Sequence, residues 1–135
     1  MVDRDGNTAA YHGDRISSVR SDHAGADCIA IGNIIRNTGV TKSMIEAFEA
    51  GPQLHIAERL VQAMEAGYAA GGELKQIKSA ALLVVEQESF PLVDLRIDFD
   101  PQPLVRLRWL WEIYEPSVKL YVDRAVNPDS VPGPA

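Results

Sequence analysis

Two neighbouring stretches with different hydrophobic patterns constrain this chain most. Ser79 to Val85 reads SAALLVV, apolar without alternation. That is the pattern of a central strand covered on both faces, and the run is too short for an ordinary helix. Val93 to Asp100 reads VDLRIDFD, in which Val93, Leu95, Ile97 and Phe99 alternate with Asp94, Arg96, Asp98 and Asp100. This two-residue period predicts a strand with one apolar and one charged face. The short QESFP connection between the two predicts an antiparallel hairpin.

The remaining elements follow from turn and cap signals. Asp5-Gly6 predicts a hairpin turn, with Asn7 to Tyr11 returning as a strand. Only Met1 to Arg4 precede that turn, so the chain is expected to begin inside a structural unit. After a polar stretch through His23, Cys28 to Ile31 reads as a short buried strand that turns at Gly32-Asn33. Thr41 reads as the N-cap of a helix carrying Met44, Ile45 and Phe48 on one face and stopping at Gly51-Pro52. A second helix places Leu54, Ala57, Leu60, Val61, Met64 and Tyr68 on one stripe and ends at Gly71-Gly72. Pro101 and Pro103 suit the first turn of a third helix, with Leu104, Leu107, Trp111 and Tyr114 as its apolar stripe. Pro116 interrupts it, Val118 to Val126 resumes, and NPDSVPGPA over 127–135 reads as an extended or disordered tail. The order ββ, αα, ββ, α around antiparallel strands is α+β layering.

Charge and cysteine usage narrow the function classes. A net charge of −6 offers no basic footprint for phosphates, which argues against nucleic acid as a partner. Cys28 is the single cysteine, so the chain forms no internal disulfide and no thiolate zinc cluster. No apolar run approaches the roughly 18 residues of a membrane span. A cytoplasmic protein with no cofactor and no membrane partner is expected.

Several stretches, in order, carry a family resemblance: VDRDGNTAAYHG near the start, IGN at Ile31 to Asn33, MIEAFEA, and LHIAERLVQAMEAGYAAGG from Leu54. They continue with KSAALLVV at Lys78 to Val85, VDLRIDFDPQPLVRLRWLWEIYEP from Val93, and NPDSVPG near the end. Together they resemble the proteins of domain-of-unknown-function family 1028. The resemblance implies half of an αββα sandwich of the Ntn-hydrolase-like type, the C-terminal half, over residues 1–126. It implies a partner chain carrying the N-terminal half, or a homo-oligomer, and a small amide or peptide-like ligand. The chain departs from the family at GGELKQIKSAAL, where the family has Gly-Gly-Asp and a Gln before Ser79.

An N-terminal-nucleophile hydrolase needs Ser, Thr or Cys at a free N-terminus, whereas here Val2 follows Met1. This chain alone is therefore expected to be inactive, with Cys28 a buried, inert thiol. Gly32 and Asn33 are the leading substrate-binding candidates, because Asn at a strand end can donate to a carbonyl or oxyanion; the alternative is a strand-terminating turn. Ser79 is a second candidate, the alternative being a capping hydroxyl. Asp94, Arg96 and Asp98, roughly 6 to 7 Å apart on one strand face, can form a charge network or a carboxylate site, or simply a solvated face. No metal site is expected: Asp3, Asp5 and Asn7 read as a turn, and His12, His23 and His55 lack ligand spacing. Trp109, Trp111, Tyr114 and Tyr121 read as core or subunit interface. Two functions follow, a contribution to an amide-hydrolysing site completed elsewhere, and a non-catalytic binding or structural subunit.

Overall fold

In a computed structural model, which describes residues 1–131, the chain forms two units, Met1–Ile77 and Lys78 onward. It is a mixed α and β chain with two small antiparallel sheets. The first unit is built on strands β1 (Arg20–Gly25) and β2 (Cys28–Asn33), which pair with Gly25 opposite Cys28 and Arg20 opposite Asn33. Strand β2 arises where the apolar run predicts it, two residues longer. Strand β1, RSDHAG, has no apolar alternation and falls in the stretch read as a polar connection.

The face of this hairpin carrying Ser21, Gly25 and Ala30 meets helix α1 (Gly39–Ala50). The close approach needs Gly25, because a Cβ there would lie 2.7 Å from Ile45 Cγ2. Glu49 at the end of α1 accepts a 2.8 Å bond from the Ala26 N–H, tying the hairpin turn to the helix. Thr41 is not the cap of α1. The helix begins at Gly39, where Asn37 Oδ1 accepts from the Gly39 N–H at 2.8 Å, and Thr41 is buried one turn in. Its hydroxyl shares a 2.7 Å bond with Ser21 Oγ, which satisfies both groups against the sheet.

Helix α2 (Ile56–Ala69) is capped by His55, whose Nδ1 accepts from the Ala57 N–H at 3.1 Å. It lies on α1 where Gly67 meets Met44 and Val40, and Arg59 stacks over Phe48 at 3.8 Å. Val40, Ile45, Ala57, Val61 and Ala63 form the core of this unit. Helix α2 ends at Gly71 and Gly72, both at positive φ, as the paired glycines predict.

Before β1, Asp5-Gly6 forms the predicted turn, with φ +81° at Gly6. The strand expected over Asn7 to Tyr11 reduces to a single bridge between Val2 and Thr8. The Asp3 carboxylate accepts from the Asp5 and Asn7 N–H groups and from Asn7 Nδ2, so the turn satisfies it without a cation. The Asn7 bonds, side chain first, hold that carboxyl below its ordinary value.

The second unit pairs β3 (Ala80–Val84) with β4 (Val93–Ile97) antiparallel, Leu82 opposite Leu95 and Val84 opposite Val93, as the hairpin reading predicts. Helix α3 (Pro103–Tyr114) packs against both strands, so Leu82, Val84 and Val93 are buried with Leu107 and Trp111. Coverage on both faces does not occur among the described residues: Leu83 and Val85 are 62% and 69% exposed. The reason is simple. Among the described residues strand β3 has one neighbouring strand, and helix α3 packs on one of its faces.

Pro116 breaks α3 into a 3-10 turn at Glu115–Ser117, after which α4 (Val118–Val126) resumes. Tyr114 and Tyr121 stack across the break at 5.7 Å, and the Tyr114 hydroxyl donates to the Leu92 carbonyl at 3.2 Å. The predicted aromatic cluster is thus divided, with Trp111 buried and Tyr114 half-buried, while Trp109 and Tyr121 are 52% and 49% exposed. In the tail, Pro128–Ser130 forms one 3-10 turn where an extended end is expected; residues 132–135 lie outside the described residues.

Candidate functional site

The face of β1 and β2 turned away from α1 carries Asp22, Ile31 and Asn33, with Asp22 directly opposite Ile31. The segment before β1 folds back beside this face. Arg20 fastens it, donating through Nη1 to the Gly13 carbonyl at 2.7 Å and the Ile16 carbonyl at 3.1 Å. Tyr11, His12, Ile16, Ile31, Gly32 and Asn33 then line a cleft of about 240 Å³. That is below the roughly 300–1,000 Å³ of a site for a drug-sized ligand and suits a molecule of few heavy atoms.

Two polar side chains stand at this cleft, and the backbone that follows it is held in an unusual conformation. The Asn33 side chain has no hydrogen-bond partner among the described residues, so two donors and one acceptor remain for a ligand. His12 lies 2.9 Å from Asp22 through Nε2, and its side chain is 18% exposed. The carboxylate only accepts, so Nε2 carries the proton and Nδ1 keeps its lone pair while the imidazole is neutral. Ile34, which follows Asn33, sits at φ +58°, the left-handed region where a β-branched residue costs roughly 1–2 kcal/mol. Its N–H donates to Ser18 Oγ at 3.1 Å, and its carbonyl accepts from the Leu74 N–H at 2.8 Å. The backbone immediately after Asn33 is thus held from both sides.

The predicted residues divide between the units. Gly32 and Asn33 come together on the cleft. Gly32 also has a packing reason to lack a side chain, because a Cβ would lie 3.1 Å from Ile35 Cγ2. Ser79 stands exposed immediately before β3, in the second unit. Asp94, Arg96 and Asp98 are exposed on the outer face of β4, where Arg96 Nη2 donates to Asp98 at 2.8 Å. This solvated pair is worth little stability, and the Asp98 bond raises the already high Arg96 value further. Among the described residues no three His, Cys, Asp or Glu side chains converge as a metal site.

His12, Asp22 and Tyr11 are the residues that sequence reasoning missed. His12 and Asp22 stand ten residues apart across an irregular segment, so neither periodicity nor a motif joins them. The GGELKQIK loop, where the chain departs from the family, contributes to a second, more polar cleft with Arg36, Tyr68, Gly71, Glu73, Lys75 and Gln76. Cys28 is half-buried on the α1 face. Burial first, and the Glu49 carboxylate second, push its thiol above its ordinary value.

This geometry defines a small mixed α and β protein in which the end of a short antiparallel sheet carries a small cleft. The chain belongs to the family of unknown function DUF1028, which matches residues 1–107. It is similar to the crystal structure of protein SPO2555 from Silicibacter pomeroyi, of the same family, with 34% identity and a TM-score of 0.74. The match covers 84% of this chain and 48% of that one, so the chain spans about half the length of that relative. No curated protein matches the chain. No helix among the described residues is long and apolar enough to cross a membrane.

Proposed function

We propose that this chain supplies one half of an amide-hydrolysing site of the Ntn type, in the cytoplasm, completed by a nucleophile-bearing half outside this sequence. The ligand is a small amide or peptide-like molecule. The observation that carries this reading is the Asn33 side chain, unpartnered at the lining of the cleft. A carbonyl oxygen gaining negative charge during attack accepts a hydrogen bond from Asn33 Nδ2, an interaction that strengthens as the charge develops. His12, oriented through Nε2 by Asp22, offers Nδ1 as an acceptor for a proton from the attacking group. The half of the relative that this chain does not match leaves room for the nucleophile and for the second layer of an αββα sandwich.

A specific observation favours the second reading, a non-catalytic binding subunit: the six residues lining the cleft include no Ser, Thr or Cys. The purified chain is accordingly expected to release no amine from peptide amides under either reading. Amine release that disappears in Cys28→Ala would overturn both, because it would give this chain its own nucleophile.

A further inference from the structure

The cleft at the C-terminal end of α2 gathers positive charge on an acidic chain. Arg36, from the connection between β2 and α1, lines it together with Tyr68, Gly71, Glu73, Lys75 and Gln76, and its volume is about 350 Å³. That lies within the roughly 300–1,000 Å³ of small-molecule sites. The chain carries a net charge of −6, yet two cations line this one space. Neither is neutralised from within. Among the described residues the Lys75 ammonium has no partner, and the Arg36 guanidinium makes one long contact, Nη2 to the Leu74 carbonyl at 3.4 Å. Glu73 lines the same cleft but forms no ion pair with either cation among the described residues.

The backbone is fixed where these groups attach. The Arg36 N–H donates to the Gly72 carbonyl at 3.0 Å and the Leu74 N–H to the Ile34 carbonyl at 2.8 Å, so the two segments are clamped side by side. Gly71 permits this approach: its φ is +136°, and a Cβ there would lie 2.7 Å from Asn37 Nδ2 and 3.4 Å from Arg36 Cβ. A helix C-terminus attracts cations, but this one is already satisfied. The carbonyls of Ala66, Gly67 and Tyr68 accept from the N–H groups of Ala70, Gly72 and Gly71, and the Ala70 carbonyl accepts from Asn37 Nδ2 at 2.9 Å. Both charges are therefore left for an acceptor from outside.

We propose that this cleft binds the carboxylate of a small organic acid. Arg36 offers a planar fork of donors that matches a carboxylate, and Lys75 adds a point charge. Glu73 reduces the sum to one positive charge, which suits a monocarboxylate and disfavours a phosphate dianion. The Tyr68 ring, 54% exposed at the same cleft, gives apolar cover to the hydrocarbon body of the acid. The inference makes no use of the Asn33 cleft and is independent of the amide-hydrolysing reading.

Titration of the isotope-labelled full chain with phenylacetate at constant ionic strength, followed by nuclear magnetic resonance, tests it. The expected result is a saturable shift of the Arg36 Nε–H and of the Gly71, Gly72 and Lys75 backbone amides. Phenylacetamide, the same shape without the charge, should move none of them. Arg36→Gln and Lys75→Gln should each raise the Kd about fivefold or more, the upper end for an exposed charge pair, and Glu73→Gln should lower it. All three side chains are exposed, so an unchanged spectrum away from the cleft confirms that each variant is folded. No response to phenylacetate, an equal response to phenylacetamide, or a Kd unchanged in both Arg36→Gln and Lys75→Gln would each overturn the proposal. Inorganic phosphate binding more tightly than phenylacetate would overturn it as well.

Discussion

Trp111→Ala is expected to destabilise the second unit by about 3–5 kcal/mol, the cost of deleting a fully buried indole from a core that cannot collapse around the gap. Against a total of roughly 5–15 kcal/mol for a domain, that is enough to leave the unit partly unfolded at moderate temperature. Trp109, two residues along the same helix, is the control: Trp109→Ala should change stability by no more than about 0.5 kcal/mol. Urea titration followed by far-ultraviolet circular dichroism reads both. Equal losses in the two variants would mean that α3 presents a different face to β3 and β4.

Asn33→Ala should reduce turnover of the completed assembly by roughly 10²–10³-fold, the usual loss when one oxyanion donor is removed. The melting temperature should stay within a few degrees, as it does for changes near 1 kcal/mol. The separation of the two effects follows from the exposed, unpartnered side chain: no internal hydrogen bond is lost. Asn33→Asp is the sharper variant, because it keeps the shape and removes the donors. A variant that unfolds while activity per folded molecule is unchanged would make Asn33 a structural turn residue.

How much of this was legible in the sequence depended on whether apolar periodicity carried the information. Helix α2 follows from period 3.6, β4 from period 2 and β3 from its unbroken apolar run, and paired glycines mark the end of α2. Strand β1 was invisible because its packed face uses Ser21 and Gly25, residues that bury backbone and a hydroxyl rather than a large apolar side chain. The same compact contact hid the role of Thr41, whose hydroxyl looks like a cap in sequence and serves the sheet instead. The unalternating run at Ser79 to Val85 predicted two covered faces, and here only one is covered. Leu83 and Val85 are left exposed on the other face.

The candidate site was half legible for a related reason. Gly32-Asn33 announces itself as a polar break after a buried strand, so the strand end could be named from sequence. The pairing of His12 with Asp22 depends on how Arg20 folds the preceding segment back, a tertiary contact without a local signature. The left-handed Ile34 had no signal at all, since such a conformation in a β-branched residue runs against its propensity and is imposed by the Ser18 and Leu74 bonds.

The central claim, that Asn33 presents its amide to a carbonyl ligand in this cleft, is tested most directly by watching that amide. In a titration of the labelled chain with acetamide, the Asn33 Nδ2 proton resonances should move downfield together with shifts at His12 and Ile31, and the response should vanish in Asn33→Asp. Shifts confined to the Arg36 and Lys75 cleft, or an Asn33 amide that does not respond up to saturating acetamide, would contradict it.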